Sequence, residues 1–154
     1  MKNFLSAILL FLAFVACEET FDSPPRAELV AQVRFSSGAA NDNPKITVYG
    51  VGKDSIWINQ MQTNEFNLPL SPDKSSSFVV MFDSIPDTMT VFHENTINYE
   101  SVESGFYYEY RIENIIHTYH RIDSTVVLDS AITQSWNENI TIYITDLPAD
   151  TDAE

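Results

Sequence analysis

Three histidines, His93, His117 and His120, are the side chains best suited to acid–base or metal chemistry in a chain of 154 residues with 22 acidic residues, 8 basic residues and one cysteine. A zinc site needs three or four convergent nitrogen or sulfur ligands, and neither a His-x-His nor a Cys-x-x-Cys pattern occurs. His117 and His120 stand at i and i+3 on a predicted strand, which points them to opposite faces. That leaves His93 beside Glu94 as a weak site able to titrate near neutral pH, against the alternative that all three rings are structural or solvated. Glu100, Glu103 and Glu109 lie close enough in sequence to suggest the carboxylate pair of a glycoside hydrolase. A chain this acidic supplies such pairs by chance. No glycine-rich phosphate loop, Gly-x-Ser-x-Gly elbow or dense aspartate calcium loop is present. The expectation is a protein without catalytic residues, cofactor or bound metal.

The aromatics carry more information. Phe106, Tyr107, Tyr108 and Tyr110 follow one another closely, with Tyr99 and Tyr119 nearby and Trp57 and Trp136 standing alone. On a strand Phe106, Tyr108 and Tyr110 share one face, while Tyr107 joins Glu109 and Arg111 on the other. One set belongs in a core, because aromatics form strands well and bury large areas. The other could form an exposed platform that stacks on a sugar or a partner protein. Trp57, Tyr107 and Trp136 are the candidate ligand platform.

The elements that must position these residues read as strands throughout. Leu29, Ala31, Val33 and Phe35 alternate with Val30, Gln32 and Arg34, the period of a strand with one buried face. Residues 46–49 and 55–58 are β-rich runs joined by a glycine-containing turn, a hairpin signal. Further strands are expected at 65–70, 77–82, 88–93, 99–103, 106–113, 117–121, 125–128 and 140–145. No window holds an amphipathic helical period long enough to nucleate a helix. Pro69, Pro72 and Pro86 fall at or beside run ends, where a missing donor does little harm. Many short strands with regular turns predict an all-β antiparallel sandwich, Ig-like or similar, with a small β-barrel as the alternative. Ile140, Ile142 and Ile144 form the cleanest alternation and a predicted core strand.

The two ends differ from this domain. Lys2 precedes an apolar run over residues 4–15, which ends at Ala16-Cys17 and meets Glu18 and Glu19. About 20 apolar residues are needed to cross a bilayer. The run is too short to span and has the length of a cleaved signal-peptide core. Residues 1–16 are therefore expected to be removed, 17–25 to form a tether, 26–147 the β-sandwich domain and 148–154 an acidic, fraying tail. With a net charge of −14, the chain repels nucleic-acid phosphates and anionic head groups. Nucleic acid is excluded as a partner, and any membrane attachment must come through lipid.

Phe14-Val15-Ala16-Cys17 resembles a bacterial lipobox, which implies lipidation of Cys17 and cleavage before it. Phe14 stands where the pattern usually has leucine. Lipidation also accounts for a lone cysteine in an oxidising compartment. Several acyl chains on one residue, at about 0.8 kcal/mol per buried methylene, give a durable anchor. Cys17-Glu18-Glu19 resembles the acidic export tag of surface lipoproteins of Bacteroidota. It implies an outer-membrane protein facing the cell surface, the alternative being the periplasmic face with Glu18 and Glu19 as plain linker.

Five triplets read Asp, then Ser or Thr, then a small apolar residue, Met or Thr: they begin at Asp54, Asp83, Asp87, Asp123 and Asp129. Composition alone predicts about one. They resemble an O-glycosylation acceptor of exported Bacteroidota proteins, with Ser55, Ser84, Thr88, Ser124 and Ser130 as the candidate acceptors. The competing reading is that Asp-Ser is a natural entry into a strand.

Beyond these motifs, residues 26–145 resemble a family of uncharacterised Bacteroidota lipoproteins with a domain of unknown function. The resemblance rests on Arg34-Phe35, Ile46-Thr47-Val48-Tyr49-Gly50-Val51-Gly52, Leu68-Pro69-Leu70-Ser71-Pro72 and Asp87-Thr88-Met89-Thr90-Val91. Glu103-Ser104-Gly105-Phe106, Ile122-Asp123-Ser124 and the closing run from Asn137 to Ile144 complete it. Relatives carry Cys where this chain has Ser104 and a second Cys near the domain start. Both are absent, so the disulfide that the resemblance implies for the family cannot form, and packing alone must hold the fold. The resemblance implies an address and an architecture, with a glycan or another envelope protein as the candidate partner.

Overall fold

The computed structural model describes residues 26–38, 43–102 and 104–147, as strands and the loops between them. The leader, Cys17, Glu18, Glu19, Glu103 and the tail from 148 lie outside the described residues.

Among the described residues ten strands follow in chain order: β1 (Glu28–Phe35), β2 (Lys45–Gly50), β3 (Ile56–Gln62), β4 (Glu65–Pro69), β5 (Ser75–Phe82), β6 (Ile85–Ser101), β7 (Gly105–His117), β8 (Ile122–Val127), β9 (Ala131–Ile132) and β10 (Glu138–Ile144). They form a four-stranded sheet in the order β4-β1-β10-β8 and a six-stranded sheet in the order β3-β2-β5-β6-β7-β9. The sheets pack face to face as a β-sandwich, and neither closes into a barrel.

Alternation explains which faces meet. In β5 every second residue is buried, so Phe78, Val80 and Phe82 point at the opposite sheet. Leu29, Ala31 and Val33 on β1 and Ile140, Ile142 and Ile144 on β10 supply the facing layer. Each fully buried aliphatic side chain here contributes about 1.5–3 kcal/mol.

Three expectations need correction. The sheets are not wholly antiparallel: β1 and β10 run parallel, with Val33 opposite Ile142. A parallel pair cannot be a hairpin, so its partners come from distant parts of the chain. The strand expected at 117–121 is instead the end of β7 followed by a tight crossing to β8, and the strands expected at 88–93 and 99–103 are one 17-residue strand, β6.

Asp87 explains the crossing. Its buried carboxylate accepts from the Thr118 hydroxyl at 2.6 Å and from the backbone N–H groups of His120, Arg121 and Ile122 at 2.9, 2.7 and 2.8 Å. Burial pushes this carboxyl upward, but the Thr118 hydroxyl and the three backbone donors outweigh it and hold it below the ordinary aspartate range. Arg121, only 2 % exposed, donates to the Thr145 carbonyl and to Asp83 Oδ2 at 3.1 Å, with its guanidinium 5.9 Å from the Phe35 ring centre. Asp83 and Ser84, with φ of 51° and 77°, form the two-residue turn between β5 and β6, a backbone that short polar residues tolerate. One end of the sandwich is thereby fastened by charge and hydrogen bonds.

Candidate functional site

At the other end, β6 and β7 outrun their neighbours. β5 reaches β6 only as far as the Ser75–Phe92 pair, and β9 touches β7 only at Tyr110 and Arg111. Over residues 94–101 and 105–109 the two strands pair with each other alone among the described residues. The register places Asn95 opposite Tyr110, Ile97 opposite Tyr108 and Tyr99 opposite Phe106 on one face. Glu94 and Arg111, Thr96 and Glu109, and Asn98 and Tyr107 occupy the reverse face. A bulge in β7, where Phe92 meets Asn114 and His93 meets Ile112, turns both Ile112 and Ile115 inward.

The apolar face of this ribbon continues the core face beyond the four-stranded sheet. Tyr110 is still buried and Tyr108 half-buried, whereas Phe106 is 71 % and Tyr99 and Ile97 each 57 % exposed. The rings form two pairs along one face. Tyr108 and Tyr110 lie nearly parallel with centres 6.2 Å apart, and Tyr99 and Phe106 meet edge-on at 5.3 Å. The row ends in a cleft of ≈ 420 Å³ between the ribbon and the end of the small sheet, where Arg26, Glu28, Leu70, Pro72 and Tyr107 line the walls beside Tyr108 and Tyr110. That volume lies in the range of small-molecule sites.

Hydrogen bonds fix the cleft wall. The Tyr110 hydroxyl donates to the Leu70 carbonyl at 3.1 Å, Asn95 Nδ2 donates to the Pro72 carbonyl, and the Ser71 N–H donates to Ser76 Oγ at 2.8 Å. Burial, reinforced by Tyr108, pushes the Tyr110 phenol up against the opposing pull of Arg26, so it stays a donor. Behind it, His93 lies edge-on to Tyr110 at 5.1 Å with Nε2 3.1 Å from Ser76 Oγ, while its Nδ1 is buried without a partner. Burial lowers its pKa against the opposing charge of Asp73, which keeps the ring neutral. Ser76 and His93 lack the third member of a nucleophile triad: both are buried, and among the described residues no group orients Nδ1.

The sequence-derived candidates disperse. His93 is buried whereas Glu94 is exposed on the reverse face, so they do not converge. His120 sits in the crossing with Nδ1 3.2 Å from Asp87, and His117 packs on Tyr119 at 4.6 Å. Glu109 accepts from Asn98 at 2.8 Å, and Glu100 is exposed on the ribbon. Trp57 lies on β3, four strands from Tyr107 on β7, about 19 Å at ~4.8 Å per strand. Its indole N–H donates to the Asn67 carbonyl at 2.9 Å and joins the β3 and β4 edges. Trp136 donates to the Arg26 carbonyl at 3.1 Å, beside the cleft that Tyr107 lines. Of the candidate platform, Tyr107 lines the cleft and Trp136 bonds beside it, whereas Trp57 reaches it only indirectly, through Asn67, whose side chain donates to Glu28 at 3.3 Å.

Ser55, Ser84 and Thr88 are exposed, and Ser124 and Ser130 are half-buried. Four of the paired aspartates are structural acceptors: Asp83 for the Lys45 N–H, Asp87 for the crossing, Asp123 for the Ser36 hydroxyl and Asp129 for the Ala131 N–H. Sequence reasoning missed Arg26, Glu28 and the Leu70–Pro72 wall, because they meet the aromatics only through tertiary packing. The readable signal was the alternation of Ile97 and Tyr99 with Phe106, Tyr108 and Tyr110 across one turn.

No curated protein and no solved structure matches the chain. A model described as a family of unknown function, DUF6452, matches residues 45–144, taking in every strand from β2 to β10 and the whole ribbon, and the chain belongs to that family.

Proposed function

We propose that the protein is a non-catalytic binding module of the cell envelope, held to the outer membrane through lipid on Cys17 and displayed at the surface, whose β6–β7 ledge takes a neutral carbohydrate. The observation that carries the ligand side is the row of Tyr99, Phe106 and Tyr108 on a strand face that, among the described residues, the small sheet covers only in part. Exposed apolar surface of this kind marks binding sites, and aromatic rings stack on the C–H faces of sugars. Arg26 and Glu28 on the cleft wall supply a donor and an acceptor for hydroxyls. A net charge of −14 disfavours acidic glycans. The leader, the lipobox-like Phe14-Val15-Ala16-Cys17 and the Glu18-Glu19 tag support the location.

A protein partner is the second reading, favoured by Ile97 and by Val102, which is 85 % exposed at the ribbon tip, since aliphatic side chains do not stack on sugars. Isothermal titration against neutral polysaccharides separates the two. Heat that disappears in Phe106→Ala and Tyr108→Ala supports the carbohydrate reading, and no heat with any of them refutes it. For location, protease added to intact cells should cut the wild-type domain, and Cys17→Ala should release it from the membrane. Protection until lysis would place it on the periplasmic face.

A further inference from the structure

The sandwich has four sheet edges, and an unpaired edge is a template for another strand unless it is guarded. Three are guarded. β3 carries two register shifts against β2 and a positive φ at Gln60. β4 has five residues, ends at Pro69 and takes the Trp57 indole on its Asn67 carbonyl. β9 has two residues. β8 differs: it holds neither proline nor lysine, and its one irregularity against β10 lies at the Ile122 end. Val126 and Val127, each 42 % exposed, and Leu128, 57 % exposed, line its far end.

Backbone parity shows what the edge offers. The Leu128 N–H donates to the Asn139 carbonyl at 2.8 Å, so Leu128 and Val126 direct their backbone groups at β10. Thr125 and Val127, one residue out of phase, direct theirs outward. Among the described residues β8 ends its sheet, and no strand pairs with it on that outward side.

We infer that β8 pairs with β8 of a second copy, antiparallel across a two-fold axis at Thr125, joining two four-stranded sheets into one. Two registers set both outward-facing residues against residues of the second copy's β8 itself. An axis at Val126 sets Asp123 against the second copy's Asp129, and like charges directly opposite oppose pairing. An axis at Thr125 sets Asp123 against Val127 and Thr125 against itself. No like charges meet, and the same patch serves both copies, as two-fold symmetry requires.

The test uses the mature chain with Cys17→Ser, so that no other thiol is present. Sedimentation equilibrium should show reversible doubling of mass. Thr125→Pro, which removes only an outward N–H on an edge strand, should abolish the doubling at unchanged melting temperature. Thr125→Cys should cross-link under mild oxidation, because a hydrogen-bonded pair sets Cα atoms about 5.5 Å apart, within disulfide reach. A monomer at all accessible concentrations, or a dimer that survives Thr125→Pro in a folded chain, overturns the inference. Should Thr125→Pro unfold the chain, the Thr125→Cys cross-link decides alone, and its absence has the same force.

Discussion

The two halves of β6 do different work. Its first half, from Ile85 to Phe92, lies between β5 and β7, and its Asp87 gathers the crossing to β8. Its second half pairs only with β7 and turns an aromatic face to solvent. One strand thus runs from a region where nearly every polar group is answered to one where apolar rings are left uncovered. A two-stranded ribbon is marginal by itself. This one is tolerated because the clamped half and the pinned Leu70–Pro72 wall hold its base.

The sharpest way to break the comparison is at Asp87. Asp87→Ala strands three backbone donors and the Thr118 hydroxyl, so it should destabilise the domain by about 3 kcal/mol in urea unfolding. Truncating Ile142 in the core should cost a similar amount, about 2–5 kcal/mol. The ribbon should behave in the opposite way. Phe106→Ala removes an exposed ring and should change stability by less than about 0.5 kcal/mol while weakening carbohydrate binding about tenfold.

Acid should separate the halves in two steps. His93 has a lowered folded pKa, so its contribution is complete above the unfolded value of about 6.5 and declines as pH falls below it. Asp87, also lowered, contributes fully above about 3.9 and loses that contribution as pH falls through its lower folded value. Melting temperature against pH should show both declines. His93→Phe should flatten the first alone, and an unchanged profile would show that His93 does not govern it.

How far these regions could be read in advance follows from the range of their interactions. Ile140, Ile142 and Ile144 announce a strand by alternation, and the β2–β3 hairpin by its turn. The parallel partner of β10 is invisible locally, since Val30 and the side chain of Asn139 that accepts its N–H are 109 residues apart. Asn95 and Asn98 interrupt the apolar pattern and made one long strand look like two. Asp87 read as an acceptor triplet or a strand entry, because its partners, Thr118 to Ile122, lie more than thirty residues on. That Phe106, Tyr108 and Tyr110 share one face was legible, since alternation is local, but the exposure of that face was not: the expected platform is Tyr107 on the reverse face, whereas Phe106 is 71 % exposed. Nor was its cleft, since Arg26 and Leu70 reach it only through the fold.

The most direct test of the central claim is an NMR titration of the isotopically labelled mature chain with a neutral oligosaccharide that gives heat in calorimetry. The account predicts shift changes at the amides of Ile97, Tyr99, Phe106, Tyr108 and Glu28, with the Asp87 crossing unmoved. Changes centred on Trp57 and the β3 edge, with the ribbon silent, would contradict it.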